Sequence, residues 1–377
     1  GECVVDLWGG ASDASGTPWQ RDTMAPSFST TKGVASTLLH IFADRGLIDY
    51  DALVSDYWPE FAQHGKESIT VRHVLSHPSG LYHIRQMIDH VDRMLDWEHM
   101  VEAIEQTEPA HQPGKRTGYH GLTYGFIVGE IIQRVSGGKF AELVQSEIAE
   151  PLGLDGLYIG APQEELSRAA QLIFPESTRK LSRTSAGRYL EIGAANFSKL
   201  LRRMGMDSDL TSIFDALAPR GISDFDFGSP ESLRVAIPAG NGLFTARSLA
   251  KMYSALANGG DFEGVRLLSE DTVEQASTLQ AATGRHSVIP FDMRWRLGYH
   301  AVATTRGFPR KAFGHFGFGG SGAWADPSRD LSVALIVNSG LGSPFGDMRT
   351  ARISGVALDC ARQREDRPVG LRARLVS

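Results

Sequence analysis

The sequence passes from helical patterns to strand patterns, and that order limits the folds open to it. Apolar residues recur at helical spacing through most of residues 29–150, and strand-like alternation takes over towards the end. The helical segments are 30–45, 71–75, 99–106 and 124–135, the strand-like segments are 294–302, 312–318, 322–325 and 331–338, and a last helix is expected at 348–363. Helices grouped apart from a run of strands predict an α+β fold, with helices packed on an antiparallel meander.

The beginning and the middle of the chain complete this outline. Residues 2–10 are typical of a strand, from Cys3 to Trp8, that ends in a Gly-Gly turn and can join the sheet. Residues 155–235 show little periodicity and contain several Pro and Gly turns, as expected of loops around a cleft. Because 377 residues are many for one core, we expect two lobes or one large domain.

Composition and charge exclude several classes of function. The chain is 42% hydrophobic and 22% charged and has no apolar run of bilayer length, so we expect a soluble globular protein without a membrane span. A net charge of −6 without a block of Lys and Arg argues against nucleic-acid binding. The two cysteines, Cys3 and Cys360, suit buried apolar positions rather than a disulfide framework or a metal site. Their scarcity favours a cytoplasmic protein, although the chain starts at Gly1 and its natural start is expected to be absent.

A Ser-x-x-Lys tetrapeptide occurs four times, and its context separates the copies. The pairs are Ser29/Lys32, Ser136/Lys139, Ser177/Lys180 and Ser248/Lys251. The second contains two glycines and predicts a helix end, the third lies in a polar loop, and the fourth lies on a helix capped by Thr245, with a surface lysine. The first begins a helix after the apolar segment 24–28, where backbone N–H groups can bind an oxyanion. Residues three apart share a helix face, so Lys32 can activate Ser29 as a nucleophile.

Two further segments can complete such a site. Tyr119 follows a Pro-Gly turn just before a helix and can reach into a cleft, although a tyrosine at the rim with no catalytic role fits the same pattern. The segment 313–320 is strand-like but rich in glycine, which permits close approach to the backbone or merely relieves crowding at a twisted edge. If it lies over the first helix, the backbone N–H of Phe318 joins that of Ser29 in an oxyanion hole.

In the order of these elements the chain resembles the penicillin-recognising serine hydrolases, a superfamily that includes class C β-lactamases, D-Ala-D-Ala carboxypeptidases and family VIII carboxylesterases. The family elements are Ser-x-x-Lys, Tyr-x-Asn and Lys-Thr-Gly or His-x-Gly, matched here by Ser29/Lys32, Tyr119 and His315/Gly317. Asn241-Gly242-Leu243 and the segment 73–81 are also similar to the family. In the family, four residues separate the tyrosine from a Pro-Gly turn and a glycine follows six later. The resemblance therefore selects Tyr119, with Gly125 after it, over Tyr124.

The resemblance implies a two-lobe β-lactamase/transpeptidase-like α+β fold. Residues 1–50 and 235–377 would form a lobe with an antiparallel sheet of about five or more strands flanked by helices, as in these relatives. Residues 51–234 would form a mainly helical lobe, with the active site in the cleft between the two. The resemblance also implies Ser29, Lys32 and Tyr119 as the catalytic group, no metal or other cofactor, and an N-terminal helix and strand missing from this chain.

Two departures from the family pattern bear on the implied substrate. Gly121 stands at the asparagine of Tyr-x-Asn, and His315 replaces the lysine of Lys-Thr-Gly, which removes an amide donor and a permanent cation. Both argue against efficient penicillin hydrolysis and fit the family VIII esterases. We therefore expect hydrolysis of small, short-chain acyl esters through a Ser29 acyl-enzyme, with His315, Gly317, Gly121 and Phe28 at the substrate site. Either Lys32 or Tyr119 can be the immediate base.

Several alternatives stay open. An acyltransferase, a weak β-lactamase or a D-amino peptidase would use the same acyl-enzyme, and a catalytically inert relative would bind ligands through the cleft. His315 as the base of a Ser-His-Asp triad is a further option. A G-x-G-x-x-G match at 317–322 opens no helix, and His73 and His77 lack the glutamate of a zinc-binding helix, so dinucleotide and zinc sites are disfavoured. Acyl length, alcohol and oligomeric state do not follow from the sequence.

Overall fold

The structure is a computed structural model that describes residues 1–173, 210–281, 286–289, 292–339 and 348–365. The Ser177/Lys180 tetrapeptide and part of the predicted loop region, 174–209, lie outside these residues. The described residues form helices and antiparallel sheets, so the α+β fold class is confirmed.

Twelve α-helices lie in the described part of the chain. They are α1 Thr31–Asp44, α2 Val54–Tyr57, α3 Val71–Leu75, α4 Ile84–Met87, α5 Trp97–Glu105, α6 Thr123–Ser136, α7 Phe140–Val144, α8 Leu210–Leu217, α9 Pro230–Arg234, α10 Ala246–Ala257, α11 Glu270–Ser277 and α12 Met348–Glu365. The five helical segments predicted from periodicity are confirmed, with shifts of at most two residues at their ends.

Nine short strands form three sheets in the same part of the chain. They are β1 Ala25–Pro26, β2 Leu157–Tyr158, β3 Leu243–Phe244, β4 Asp261–Phe262, β5 Val265–Arg266, β6 His300–Ala301, β7 Phe313–Phe316, β8 Gly322–Asp326 and β9 Leu331–Leu335. Strands β6 to β9 pair antiparallel in chain order, which confirms the predicted meander. Strand β6 is shorter than predicted because Arg294 (φ 52°) and Gly298 (φ 79°) have left-handed backbones that interrupt an extended segment.

The predicted strand from Cys3 to Trp8 is wrong, and the sheet has four described strands where about five or more were expected. Residues 1–9 carry no regular structure, and Leu7 is 85% exposed. Side-chain ion pairs of Asp6 with Arg247 and Arg21 hold this segment on the surface, whereas a strand requires a backbone ladder with a neighbour. An alternating pattern alone does not supply that neighbour.

The cysteines were also predicted wrongly, because both are exposed rather than buried. Cys3 lies in the irregular segment 1–9, and Cys360 lies on the outer side of α12. Burial of a small apolar residue depends on where its segment packs, which composition does not reveal.

Two of the other Ser-x-x-Lys copies lie as predicted. Helix α6 ends at Ser136, and Gly137 follows in the left-handed conformation (φ 74°). Helix α10 begins after Thr245, whose side chain accepts a hydrogen bond from the Ser248 N–H. The lysine of this fourth copy is partly buried rather than a simple surface charge, since Lys251 Nζ lies 5.4 Å from the centre of the Phe262 ring.

Helix α1 is the centre of the fold. All residues from 31 to 42 are buried, because the helix contacts α6 on one side and β7 on the other. Polar side chains on its buried faces have partners: Ser36 Oγ bonds to Tyr124 OH (2.7 Å) and Thr37 Oγ1 bonds to Tyr299 OH (2.8 Å). One apolar cluster runs from α6 through α1 to β7, across the boundaries of the expected lobes, and the two-lobe division stays a prediction.

None of the helices in the described ranges is long and apolar enough to cross a bilayer.

Replacing Leu38 by alanine is expected to destabilise the fold by about 2–5 kcal/mol, because this side chain is fully buried in α1 and its removal leaves a cavity. Urea unfolding followed by circular dichroism measures the change. Leu47→Ala is the matched control, since Leu47 is 49% exposed and its loss should change the free energy of unfolding by less than about 0.5 kcal/mol. Equal losses in both variants would contradict the central place of α1.

Candidate active site

Ser29 lies in a tight turn between β1 and α1. The turn is a 3-10 helix, Phe28–Thr30, and Phe28 has the left-handed backbone φ of 45° that is strained for a bulky residue. Two hydrogen bonds tie it to the segment before β3: the Ser27 N–H donates to the Gly242 carbonyl (2.8 Å) and the Gly242 N–H donates to Thr31 Oγ1 (2.9 Å). Hydrogen bonds before and after Ser29 therefore fix the backbone that carries its side chain.

Lys32 is fully buried one helical turn after Ser29. Its Nζ lies 3.0 Å from Ser29 Oγ, 2.7 Å from the carbonyl oxygen of Gly121 and 2.9 Å from that of Ala239. Ala239 comes this close because Gly125 has no side chain: a methyl group there would lie 2.4 Å from the Ala239 nitrogen. In the described structure no carboxylate pairs with Lys32.

Burial lowers the pKa of Lys32 well below 10.5, because a charged ammonium loses its hydration in this position. In the neutral amine, two N–H bonds point to the Gly121 and Ala239 carbonyls. The nitrogen lone pair is then left to accept a hydrogen bond from the Ser29 hydroxyl. The two carbonyls thus orient Lys32 as an acceptor for the Ser29 proton.

Tyr119 approaches Ser29 from another side. Its hydroxyl donates to Ser29 Oγ (2.9 Å), and its ring stacks on Trp295 with centroids 5.6 Å apart and an interplanar angle of 10°. Burial raises the pKa of Tyr119 above its usual value of 10, so the phenol form is favoured. Tyr124, the alternative tyrosine, bonds instead to Ser36. The structure therefore brings Tyr119 to Ser29 together with Lys32, as the motif order predicts.

The end of β7 lies against the Ser29 turn. A methyl group on Gly317 would lie 2.3 Å from the Ser27 carbonyl oxygen and 3.1 Å from the Ser29 nitrogen. Glycine is thus needed for this close approach, and Phe318 follows at once, with its ring 5.5 Å from that of Phe28. This placement puts Phe318 beside the turn that carries the Ser29 N–H.

His315 lies on β7 behind Gly317 and is 2% exposed. Its Nδ1 bonds to the Phe316 carbonyl (3.1 Å), which leaves Nε2 as an acceptor without a hydrogen bond among the described residues. Burial, with His300 and Lys32 nearby, holds the pKa of His315 well below 6.5, so the ring is neutral. Neither nitrogen bonds to Ser29 or to a carboxylate, and a Ser-His-Asp triad is not formed by these contacts.

Gly121 and Phe28 lie at the site in different ways. Gly121 acts through its carbonyl on Lys32, and a side chain there would lie 2.3 Å from Leu217 Cδ2 and 2.6 Å from the Ala216 oxygen. Helix α8 therefore fills the space that an asparagine side chain would need. The Phe28 ring is half-buried and contacts Phe227 (5.4 Å) and Phe318 (5.5 Å), an apolar surface beside Ser29.

Sequence reasoning missed three residues that support the site: Ala239, Trp295 and His120. It named His77 only within the family-like segment 73–81 and as a disfavoured zinc ligand. His77 and His73 do not converge on a metal: the Thr70 side chain caps α3 by accepting a hydrogen bond from the His73 N–H, while His77 is buried beside Tyr119. Across the described ranges no cluster of three or more His, Cys, Asp or Glu side chains is suited to hold a metal ion.

Comparisons with known proteins agree on one family. A family profile described as Beta-lactamase matches residues 1–358. The esterase/β-lactamase LipL of Mycobacterium tuberculosis is 36% identical over 343 residues, which cover 90% of this chain and 75% of that protein. A family VIII carboxylesterase structure superposes with a TM-score of 0.79 at 32% identity, covering 96% of this chain and 89% of the other. A penicillin-binding protein homologue from Caulobacter crescentus gives 0.77 at 32% identity, with 94% and 88% covered.

Gly317→Ala should slow phosphonylation of Ser29 by a fluorophosphonate about tenfold to a hundredfold, because the added methyl group pushes β7 away from the nucleophile turn. The rate is measured by intact-protein mass spectrometry. The control is Gly9→Ala, whose added methyl group meets no atom within 4 Å and should leave the rate unchanged. Equal rates in the two variants would show that the approach of β7 does not matter.

Proposed function

The chain belongs to the β-lactamase family, and from the geometry around Ser29 we propose that it is a carboxylesterase that cleaves small acyl esters through a Ser29 acyl-enzyme. One observation carries this proposal. Ser29 Oγ lies within hydrogen-bond distance of a buried amine, Lys32 Nζ at 3.0 Å, and of a buried phenol, Tyr119 OH at 2.9 Å. A nucleophile with a base and an acid in contact is what acyl transfer requires.

In the acylation step Lys32 is the immediate base. Its amine takes the Ser29 proton while Oγ attacks the ester carbonyl carbon. The N–H groups of Ser29 and of Phe318 stabilise the oxyanion. As the bond to the alkoxy oxygen breaks, Tyr119 gives that oxygen its proton. The Lys32 ammonium, whose Nζ lies 5.2 Å from the centre of the Tyr119 ring, then passes a proton to the phenolate, which restores the amine and the phenol. The alcohol leaves and Ser29 carries the acyl group.

Deacylation reverses these roles with water. Tyr119 is a phenol again at this stage, so the neutral Lys32 amine takes a proton from the water. The water oxygen attacks the acyl carbon, and the bond from that carbon to Ser29 Oγ breaks. The proton returns to Ser29 Oγ, so the sum is one ester and one water converted to one acid and one alcohol. All groups needed are on the chain.

Three features support an ester rather than a penicillin as substrate. The neutral His315 offers no cation for a substrate carboxylate, and α8 occupies the place of the asparagine side chain that would bind an amide. The rings of Phe28, Phe227 and Phe318 offer an apolar surface for the acyl group. Two of the similar proteins are described as a carboxylesterase and as an esterase/β-lactamase.

A second candidate is β-lactamase activity with the same acyl-enzyme, favoured by the double description of the Mycobacterium relative. Acyl transfer to an alcohol would use the same intermediate. An inert ligand-binding relative would show neither turnover nor labelling of Ser29.

Turnover of p-nitrophenyl acetate and butyrate beside nitrocefin tests the proposal. We expect ester hydrolysis, little or no nitrocefin hydrolysis, and an acyl adduct at Ser29 by mass spectrometry. Ser29→Ala should abolish both the turnover and the adduct because it removes the nucleophile. Ser248→Ala, in the Ser-x-x-Lys copy on α10, is the control and should retain both. Full ester turnover by Ser29→Ala would refute the acyl-enzyme.

The pH dependence of acylation should follow Lys32. Its neutral form is the active base, so kcat/KM for the ester is expected to fall as pH is lowered through a pKa that burial has shifted below 10.5. Lys32→Arg keeps a permanent charge and should lose about a hundredfold or more at every pH. Stopped-flow acylation rates between acid and alkaline pH measure both effects. An acylation rate that rises on acidification would mean that Lys32 works as an ammonium instead.

A further inference from the structure

His77 has an unusual backbone for a histidine and lies directly behind the site. Its φ of 75° is in the left-handed region, and its ring is 1% exposed. Such a conformation costs free energy and persists where the surroundings hold it, which makes it a pointer to function. The mechanism described above assigns His77 no role.

Hydrogen bonds fix the tautomers of His77 and His120. His77 Nδ1 accepts from the backbone N–H of His120 (3.3 Å), so its own ring proton is on Nε2. The contact of 3.1 Å between the two Nδ1 atoms then makes His120 Nδ1–H the donor. His120 Nε2 in turn accepts from the backbone N–H of Leu81 (3.2 Å) and from the Ser79 hydroxyl. The hydrogen bonds therefore have one direction: Ser79 donates to His120, and His120 donates to His77.

His77 also packs directly against Tyr119, and His120 packs against His77. The His77 ring meets the Tyr119 ring edge-on at 5.1 Å and Trp295 at 4.2 Å, and it stacks on His120 at 5.2 Å. The backbone N–H of Gly118, next to Tyr119, donates to the His77 carbonyl (3.0 Å). Both neighbours of Tyr119 in the chain are therefore bonded to His77.

We propose that His77 and His120 are positioning residues that hold the Tyr119 hydroxyl on Ser29 through their mutually hydrogen-bonded, neutral rings. This inference rests on the ester hydrolysis proposed above, in which Tyr119 gives its proton to the leaving alkoxide. If the Tyr119 hydroxyl turns away from Ser29 Oγ, it cannot reach the alkoxide oxygen of the leaving group. Lys32 and Ser29 can still form the acyl-enzyme.

Burial keeps both rings of the pair neutral, and the groups packed against His77 do not oppose it. The titratable groups that face His77 are Lys32 on α1, Tyr119 and His120 on the loop before α6, Tyr124 on α6, His300 on β6 and His315 on β7. None of these is a carboxylate that would favour an imidazolium. Burial together with these neighbours holds the pKa of His77 well below 6.5, and burial lowers that of His120 to about 3.

The leaving group of the ester reports on Tyr119. A p-nitrophenolate leaves without a proton, whereas an ethoxide needs one, so only the second depends on a well-placed acid. His77→Asn removes the ring beside Tyr119, and asparagine tolerates the left-handed backbone. We expect kcat/KM for ethyl butyrate to fall about tenfold more than kcat/KM for p-nitrophenyl butyrate, as it should in Tyr119→Phe.

A double variant separates positioning from general damage. If His77 acts through Tyr119, adding His77→Asn to Tyr119→Phe should not change the ratio of the two kcat/KM values further. His120→Phe keeps a ring in the stack but removes its hydrogen bonds, and it should shift the ratio in the same direction. The His120→Phe variant also tests the positioning role if His77→Asn does not fold. His40→Asn, another buried histidine, bonded to Tyr50 and to the Leu297 carbonyl, is the matched control and should leave the ratio unchanged.

An equal loss on both esters in His77→Asn, an unchanged ratio in His120→Phe, or a further change in the double variant would overturn the positioning role. These outcomes are distinct from failure of the proposed function. If the proposed function is wrong, Ser29→Ala keeps its ester turnover, whatever the histidine variants do.

Discussion

The burial of a single amine organises this molecule. Lys32 brings its nitrogen into the core, where its hydrogen bonds go to Ser29, to the Gly121 carbonyl and to the Ala239 carbonyl. These three partners come from the start of α1, from the loop before α6 and from the segment before β3, which are far apart in the chain. An unpaired polar group in such a position would be costly, so the three segments must meet around it. One set of contacts therefore fixes the Ser29 turn, the loop that carries Tyr119 and the core.

Much of the fold could be predicted from local patterns. The periodicity of apolar residues gave α1, α3, α5, α6 and α12 within two residues, and the succession of strand-like segments gave the meander β6 to β9. What failed was placement that depends on distant partners. The segment from Cys3 to Trp8 has the composition of a strand but lies exposed, and Cys360 lies on the outside of a helix whose inner side could not be known beforehand.

The candidate site shows the same division between what local patterns predict and what depends on distant contacts. The order of Ser29, Lys32 and Tyr119 along the chain pointed to three side chains that the structure places in contact, while their catalytic roles stay predictions. The choice of base did not follow from sequence, because it depends on burial, which lowers the pKa of Lys32 and raises that of Tyr119. Ala239, Trp295 and His120 carry no local signature, since their importance comes from packing against residues far away in sequence.

The packing of α8 on Gly121 has a consequence for attempts to change what the site accepts. Ala216 and Leu217 fill the space in which a side chain at position 121 would lie, and α8 is itself anchored to the segment that contains Arg85 and Gln86. Introducing asparagine at 121 would therefore displace a helix instead of adding a donor to the cleft. An amide donor at this position requires α8 to move first, which couples a change in the ligand contacts to the remodelling of a neighbouring helix.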